Sequence, residues 1–331
     1  MCGEEPHSQQ RGSYWWKRGH HGRRTVGRAW PRASIAARHP GRRPGAALVG
    51  GAAAAYELVQ HGVLPGKYAL ARLDGACGTA PLPPRGTPPT RREVTFYSAY
   101  RRCTVTMVTL TPSGTTEAGL PVVVGLHGAG SDARQLASQL SPAMTAARIT
   151  RLAAVTVDGG GTYWHKRADG DDPIGMIIYE VLPRLAAAGH QTARIAIAGE
   201  SMGGYGALLL AEELAHHTPA VTAVAALSPA IFASYADAIA TNSRSFDSPG
   251  DFARHDVLAA AAALTDVPTW IACGIDDPFQ PETTRLRTRL AALSGQPPAG
   301  GILAGCHDDT FWARNLPNAL SFLVQKTEEG R

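Results

Sequence analysis

Short apolar runs bounded by glycine or proline recur along the chain. They are "PVVVGL" (121–126), "AAVTV" (153–157), "RIAIAG" (194–199), "VTAVAAL" (221–227), "VPTWIAC" (267–273) and "GGILAG" (300–305). None alternates with polar residues, so each reads as a strand buried on both faces. Between them, apolar positions recur at helical spacing over roughly 133–147, 174–188, 203–215, 252–264, 281–294 and 311–326. Strand and helix in alternation predict an α/β fold, with a mostly parallel central sheet and helices on both faces.

Two β-rich runs in "EVTFYSAYRRCTVTMVTLTPSG" precede this pattern and predict an antiparallel edge. Residues 56–91 read as an irregular arm or linker, because "GTAPLPPRGTPPTRRE" cannot continue a helix or a central strand. The insertion 229–251 follows a strand end and is expected to form part of a substrate cap. The organisation is then a leader over 1–55, an arm over 56–91 and an α/β domain over 92–327.

Charge changes the picture at the amino terminus. Residues 1–44 hold ten Arg and Lys against Glu4 and Glu5, a local net of +8, so 45–331 carries −3 of the formal +5. The body is mildly acidic, which argues against a nucleic-acid surface. The basic leader runs into "PGAALVGGAAAAYELV" and an Ala-x-Ala-like end near Ala53–Ala55, an export-signal pattern. Twin arginines at Arg23-Arg24 and Arg42-Arg43 suggest the twin-arginine route. The apolar stretch is too short for a stable membrane span. An unexported protein whose leader binds nucleic acid or anionic membrane is the alternative.

Cys2, Cys77, Cys103, Cys273 and Cys306 are far apart and contain no CxxC, which excludes a compact zinc module. Cys273 and Cys306 fall near the ends of two late strands, where either a bridge or a pair of buried thiols would fit.

Ligands in an open parallel sheet bind beyond the carboxyl ends of the strands. Ser201 lies there in Gly199-Glu200-Ser201-Met202-Gly203, between a buried strand and a helix, as a nucleophile held at a sharp turn would. The base expected late in the chain is His307, directly after the last strand. His216 and His217, closing a helix, would only complement its dipole. The acid comes from "WIACGIDDPF": Asp277 fits a G-x-x-D turn from Gly274, with Asp276 as the alternative and the other one capping the next helix. The order Ser201, Asp277, His307 is that of one class of serine hydrolase. Its oxyanion donors would be the N–H groups of Met202 and of Ala129, with Gly128 or Gly130 possible for the second. His127 reads as a structural hydrogen-bonder. In "VDGGGTYWH", Tyr163 and Trp164 are expected as an apolar wall of the substrate pocket, or as a pair packing the loop down.

With "LHGAGSDA", "DGGGTYW", "GESMGGYGAL", "SPAIF", "CGIDDPF" and "GCHDDTFWARNLPNALSFL", the chain resembles the esterase D-like branch of α/β-hydrolases over about residues 92–326. That branch includes S-formylglutathione hydrolases, feruloyl-type esterases and secreted mycolyltransferases. The resemblance implies an α/β-hydrolase fold, the triad Ser201, Asp277 and His307, and N–H donors at Ala129 and Met202. The Gly128-Ala129-Gly130 turn would bring backbone beside the substrate, and such acyl transfer requires no metal or cofactor. It implies a small-molecule or lipid ester as substrate. Acyl transfer to a sugar or lipid alcohol is the rival activity, and a non-catalytic exported binding protein is the rival class. The expected export departs from the cytosolic glutathione-conjugate hydrolases.

Overall fold

A computed structural model describes residues 67–215 and 218–329. The leader, residues 56–66 of the arm and His216-His217 lie outside the described residues.

Eight strands form one sheet in the order β1-β2-β4-β3-β5-β6-β7-β8. They are β1 (Thr90–Ser98), β2 (Cys103–Thr111), β3 (Pro121–Leu126), β4 (Ala153–Val157), β5 (Gln191–Glu200), β6 (Ala220–Leu227), β7 (Thr269–Asp276) and β8 (Ala299–Cys306). The β1–β2 and β2–β4 pairs are antiparallel and all others are parallel, so the edge and the parallel body both match the sequence pattern. The chain runs from β3 outward to β4, then returns past β3 to β5 and continues to β8. The strand order therefore reverses between β3 and β5. A crevice opens at the carboxyl ends of strands flanking such a reversal.

The central strands divide their apolar residues between two faces, and β5 alternates in side-chain size rather than polarity. Val122, Val124, Leu126, Ile195 and Ile197 face one core, whereas Val123, Ala196, Ala198, Ala223 and Ala225 face the other. Successive residues of a strand point to opposite faces, so a run that looks uniformly apolar serves two layers. The alanine face receives α2 (Ala133–Ala146) and α8 (Asp309–Glu329). The larger side chains meet α3 (173–187), α4 (Met202–Glu213) and α7 (Gln280–Ser294). Helix α3 is composite: Pro173–Met176 and Leu182–Ala187 flank a π-helical turn, Ile177–Val181. Pro183 supplies no N–H there, and a widened turn accommodates that loss.

Three expectations are corrected. The arm is not wholly irregular, since α1 (Lys67–Leu73) forms within it. No single helix spans 252–264; α6 (Pro249–Arg254) ends at His255 and a 3-10 turn follows at Ala261–Leu264. Asp256 causes the break, because its Oδ1 accepts from the N–H groups of Leu258 and Ala259 and draws the chain into a turn. Cys306 bridges to Cys77, across 229 residues, and Cys273 is a buried free thiol. The insertion 229–251 contains α5 (Tyr235–Thr241) and the start of α6. Arg167 pins it by donating to the carbonyls of Arg244 and Ser245 and to Asp247. Among the described residues no helix is long and apolar enough to cross a membrane.

Candidate active site

Ser201 joins β5 to α4 with φ 54° and ψ −120°, a conformation that an L-residue keeps only when its surroundings enforce it. The enforcement is visible. Ser201 N–H donates to Leu227 O at 2.9 Å, and Ser201 O accepts from Ala230 N at 3.0 Å, so the end of β6 and the loop after it grip both sides of the residue. A side chain on Gly203 would collide with the carbonyl oxygen of Leu126, and one on Gly199 with that of Gly203. The sharp turn therefore requires glycine at both positions.

His307 follows β8 and turns its ring back over Ser201, with Nε2 2.9 Å from Oγ. Its Nδ1 lies 2.9 Å from Asp277 Oδ2. The imidazole is held edge-on between Phe279 and Trp312, at ring-centroid distances of 5.1 and 5.3 Å. Phe232, from the insertion, packs against Phe279 at 5.4 Å, so the expected cap reaches the residues around His307.

Asp277 is the carboxylate that meets His307, and Asp276 remains the last residue of β7. Asp276 does not cap the next helix: α7 begins after Phe279 without a side-chain cap. Asp277 makes that turn itself, accepting from Phe279 N–H at 2.8 Å through Oδ1. Burial alone would raise its carboxyl, but His307 and the Phe279 N–H hold it below the ordinary carboxylate value.

The loop after β3 approaches the same serine. A Cβ on Gly128 would stand 3.4 Å from Ser201 Cβ and 3.5 Å from Glu200 O, which leaves the backbone of Gly128 close against the turn at Ser201. Met202 opens α4, where an N–H has no acceptor within the helix. His127 is buried and neutral: Nδ1 bonds the Gly128 carbonyl at 2.8 Å and Nε2 accepts from Gly159 N–H at 2.9 Å. Burial lowers its pKa. Its role is to fasten the glycine loop.

Tyr163 and Trp164 do not line a pocket. Trp164 is fully buried and Tyr163 is 2% exposed, so neither offers surface to a ligand. Both adopt positive φ, 61° and 65°. Trp164 instead donates its indole N–H to His127 O at 3.2 Å, and Tyr163 packs among Tyr205, Phe232 and Phe246. This is the packing alternative that the aromatic pair left open.

Glu200, next to Ser201, is 2% exposed. Burial, with the nearby charge of Asp309, pushes its carboxyl up to about 8. Sequence pattern gave no signal for this group, nor for the Phe279–Trp312 clamp; both depend on how α7 and α8 return over the strand ends.

Comparison with known proteins gives the family and the fold. The Esterase family model ("Putative esterase") matches residues 98–323. None of the curated proteins matches significantly. Among solved structures, a ferulic acid esterase is similar at 20% identity and TM-score 0.58, covering 72% of this chain and 98% of that one. Fluorophosphonate-binding serine hydrolase F of Staphylococcus aureus is similar at 20% identity and TM-score 0.57, over 72% and 99%. An S-formylglutathione hydrolase from Agrobacterium tumefaciens has 15% identity and TM-score 0.55, over 72% and 98%. At these identities the likeness is one of fold, and the family match carries the activity class. The chain belongs to the Esterase family and is a carboxylic-ester hydrolase of the α/β-hydrolase fold.

Proposed function

We propose that this esterase works through an acyl-enzyme on Ser201. His307 takes the proton from Ser201 Oγ as it attacks the ester carbonyl, and Asp277 holds the ring with Nε2 aimed at the serine. The tetrahedral oxyanion sits between the N–H groups of Met202 and Ala129, where α4 adds the positive end of its dipole. Protonated His307 then gives its proton to the leaving alcohol. Water, deprotonated by the same ring, releases the acid. The observation that carries this reading is the pair of 2.9 Å hydrogen bonds linking Ser201, His307 and Asp277 from three strand ends.

The test is turnover of p-nitrophenyl esters of graded acyl length by wild type and by Ser201→Ala. Loss of turnover in the variant supports the nucleophile, and the chain-length optimum measures the acyl site. Turnover that survives the substitution counts against it. Adding an acceptor alcohol in excess separates hydrolysis from transfer, since a transferase would form transfer product faster than free acid.

The same reading extends to location. The basic leader and Ala-x-Ala end (residues outside the described structure) favour export, and the Cys77–Cys306 bridge suits an oxidising compartment. Sequencing the amino terminus of the mature protein tests this: a start near residues 54–57 supports export, and an intact leader on cytosolic protein contradicts it.

A further inference from the structure

Helix α1 and Cys77 lie outside the matched residues 98–323, yet they converge on the segment that carries His307. Cys77 is bonded to Cys306, the residue immediately before His307. Arg72, from the last turn of α1, donates to the carbonyl oxygen of His307 at 3.3 Å. Arg314 of α8 closes the junction, donating to Cys77 O at 3.1 Å and to Ala304 O at 3.0 Å. Two glycines make room for it. A Cβ on Gly78 would stand 2.5 Å from Arg314 Nη1, and one on Gly305 2.7 Å from Nη2. The stretches "ACG" (76–78) and "AGC" (304–306) thus meet around one guanidinium, with both cysteines buried.

The other side of His307 is fixed independently. Asp308 Oδ1 accepts from Phe311 N–H at 3.0 Å at the start of α8. His307 is therefore suspended between two anchors, Asp308 toward α8 and the Cys306 junction toward α1. Tyr68 shows how near α1 comes to the acid: burial, and then the charge of Asp277, raises its hydroxyl.

We propose that Lys67–Gly78 is a strap that positions His307, acting through the Cys77–Cys306 bridge and the Arg72 contact rather than by touching substrate. The inference rests on the reading of His307 as the base. His307 directly follows the bridged Cys306, so the depth at which its ring meets Ser201 depends on where Cys306 is held. A displacement of about 1 Å in a reacting group can cost on the order of 100-fold in rate.

The experiment compares wild type, the double variant Cys77→Ser/Cys306→Ser, Arg72→Ala and Arg72→Lys in two readouts at a temperature where circular dichroism shows each folded. The first is steady-state turnover of a p-nitrophenyl ester. The expected result is a fall in kcat of about tenfold or more in the double variant, and several-fold in Arg72→Ala, with KM changed less than twofold. Arg72→Lys should recover part of the loss. The second readout is the histidine side-chain NMR spectrum, in which the proton on His307 Nδ1, bonded to Asp277, gives a sharp downfield signal in wild type that broadens or disappears in the variants. Unchanged kcat together with an unchanged His307 signal in folded variants overturns the strap. If the wild type proves inert toward esters, the catalytic reading fails, and the NMR comparison alone decides whether the strap positions the ring.

Discussion

The indole N–H of Trp164 donates to the backbone carbonyl of His127 at 3.2 Å, joining the loop after β4 to the loop after β3. Trp164 is thus placed one layer behind the proposed oxyanion donor at Ala129. Trp164→Phe keeps most of the buried ring and removes the donor, leaving a buried carbonyl one partner short. The expected stability loss is about 1 kcal/mol, with a several-fold fall in kcat and little change in KM. Thermal melts and steady-state kinetics on one preparation check both.

The two adjacent aspartates should separate cleanly. Asp277→Asn leaves a side chain of the same shape but cannot balance a protonated His307 or keep its tautomer. A loss in kcat on the order of 10⁴ is expected. Asp276→Asn, away from the His307 hydrogen bond, should stay within about threefold of wild type. Equal losses in both would place the acid elsewhere.

Glu200 gives the protein a pH dependence with a definite sign. Its carboxyl is raised to about 8 when folded, above its unfolded value, so it is held neutral in a range where the unfolded chain ionises. Stability from this group is fully present below about pH 4.5 and is lost as pH rises through about 8. Glu200→Gln should therefore gain on wild type by a few kcal/mol between pH 5 and pH 9, read from urea melts across that range. Ionised Glu200 would also put negative charge beside the developing oxyanion. The wild-type rate should fall above about pH 8, and the glutamine variant should lack that fall.

The turn at Ser201 is sterically closed. In Gly203→Ala, the added methyl meets the carbonyl of Leu126, so β3 or the turn has to move. The expected outcome is a protein with strand and helix content intact but no fluorophosphonate labelling, or one that does not fold. Full labelling of a folded variant would show that the turn tolerates a side chain.

Much of this was legible in the sequence because each signal was local. The strands at 121–126 and 153–157 carry enough consecutive apolar residues to mark burial, and the observed bounds coincide. Ser201 and His307, which the structure brings into hydrogen-bond contact, were each picked out by a position after a strand and before a helix, which the chain states directly. The sequence left Trp164 open between pocket wall and loop packing, because polarity cannot tell a ring facing a pocket from one wedged under a loop. That depends on the positive φ values of Tyr163 and Trp164, which no periodicity signals for an aromatic pair. The break at His255-Asp256 was hidden by strong helix formers on either side, with one carboxylate overriding them. The Cys77–Cys306 bridge joins residues 229 apart, and connectivity of that kind is settled only when the fold brings the two ends together.

The most direct test is intact-protein mass spectrometry after brief exposure to a fluorophosphonate, followed by peptide mapping, on wild type and Ser201→Ala. The account predicts one adduct per wild-type chain, located on Ser201, and none on the variant. An adduct on another residue, or equal labelling of Ser201→Ala, would contradict it.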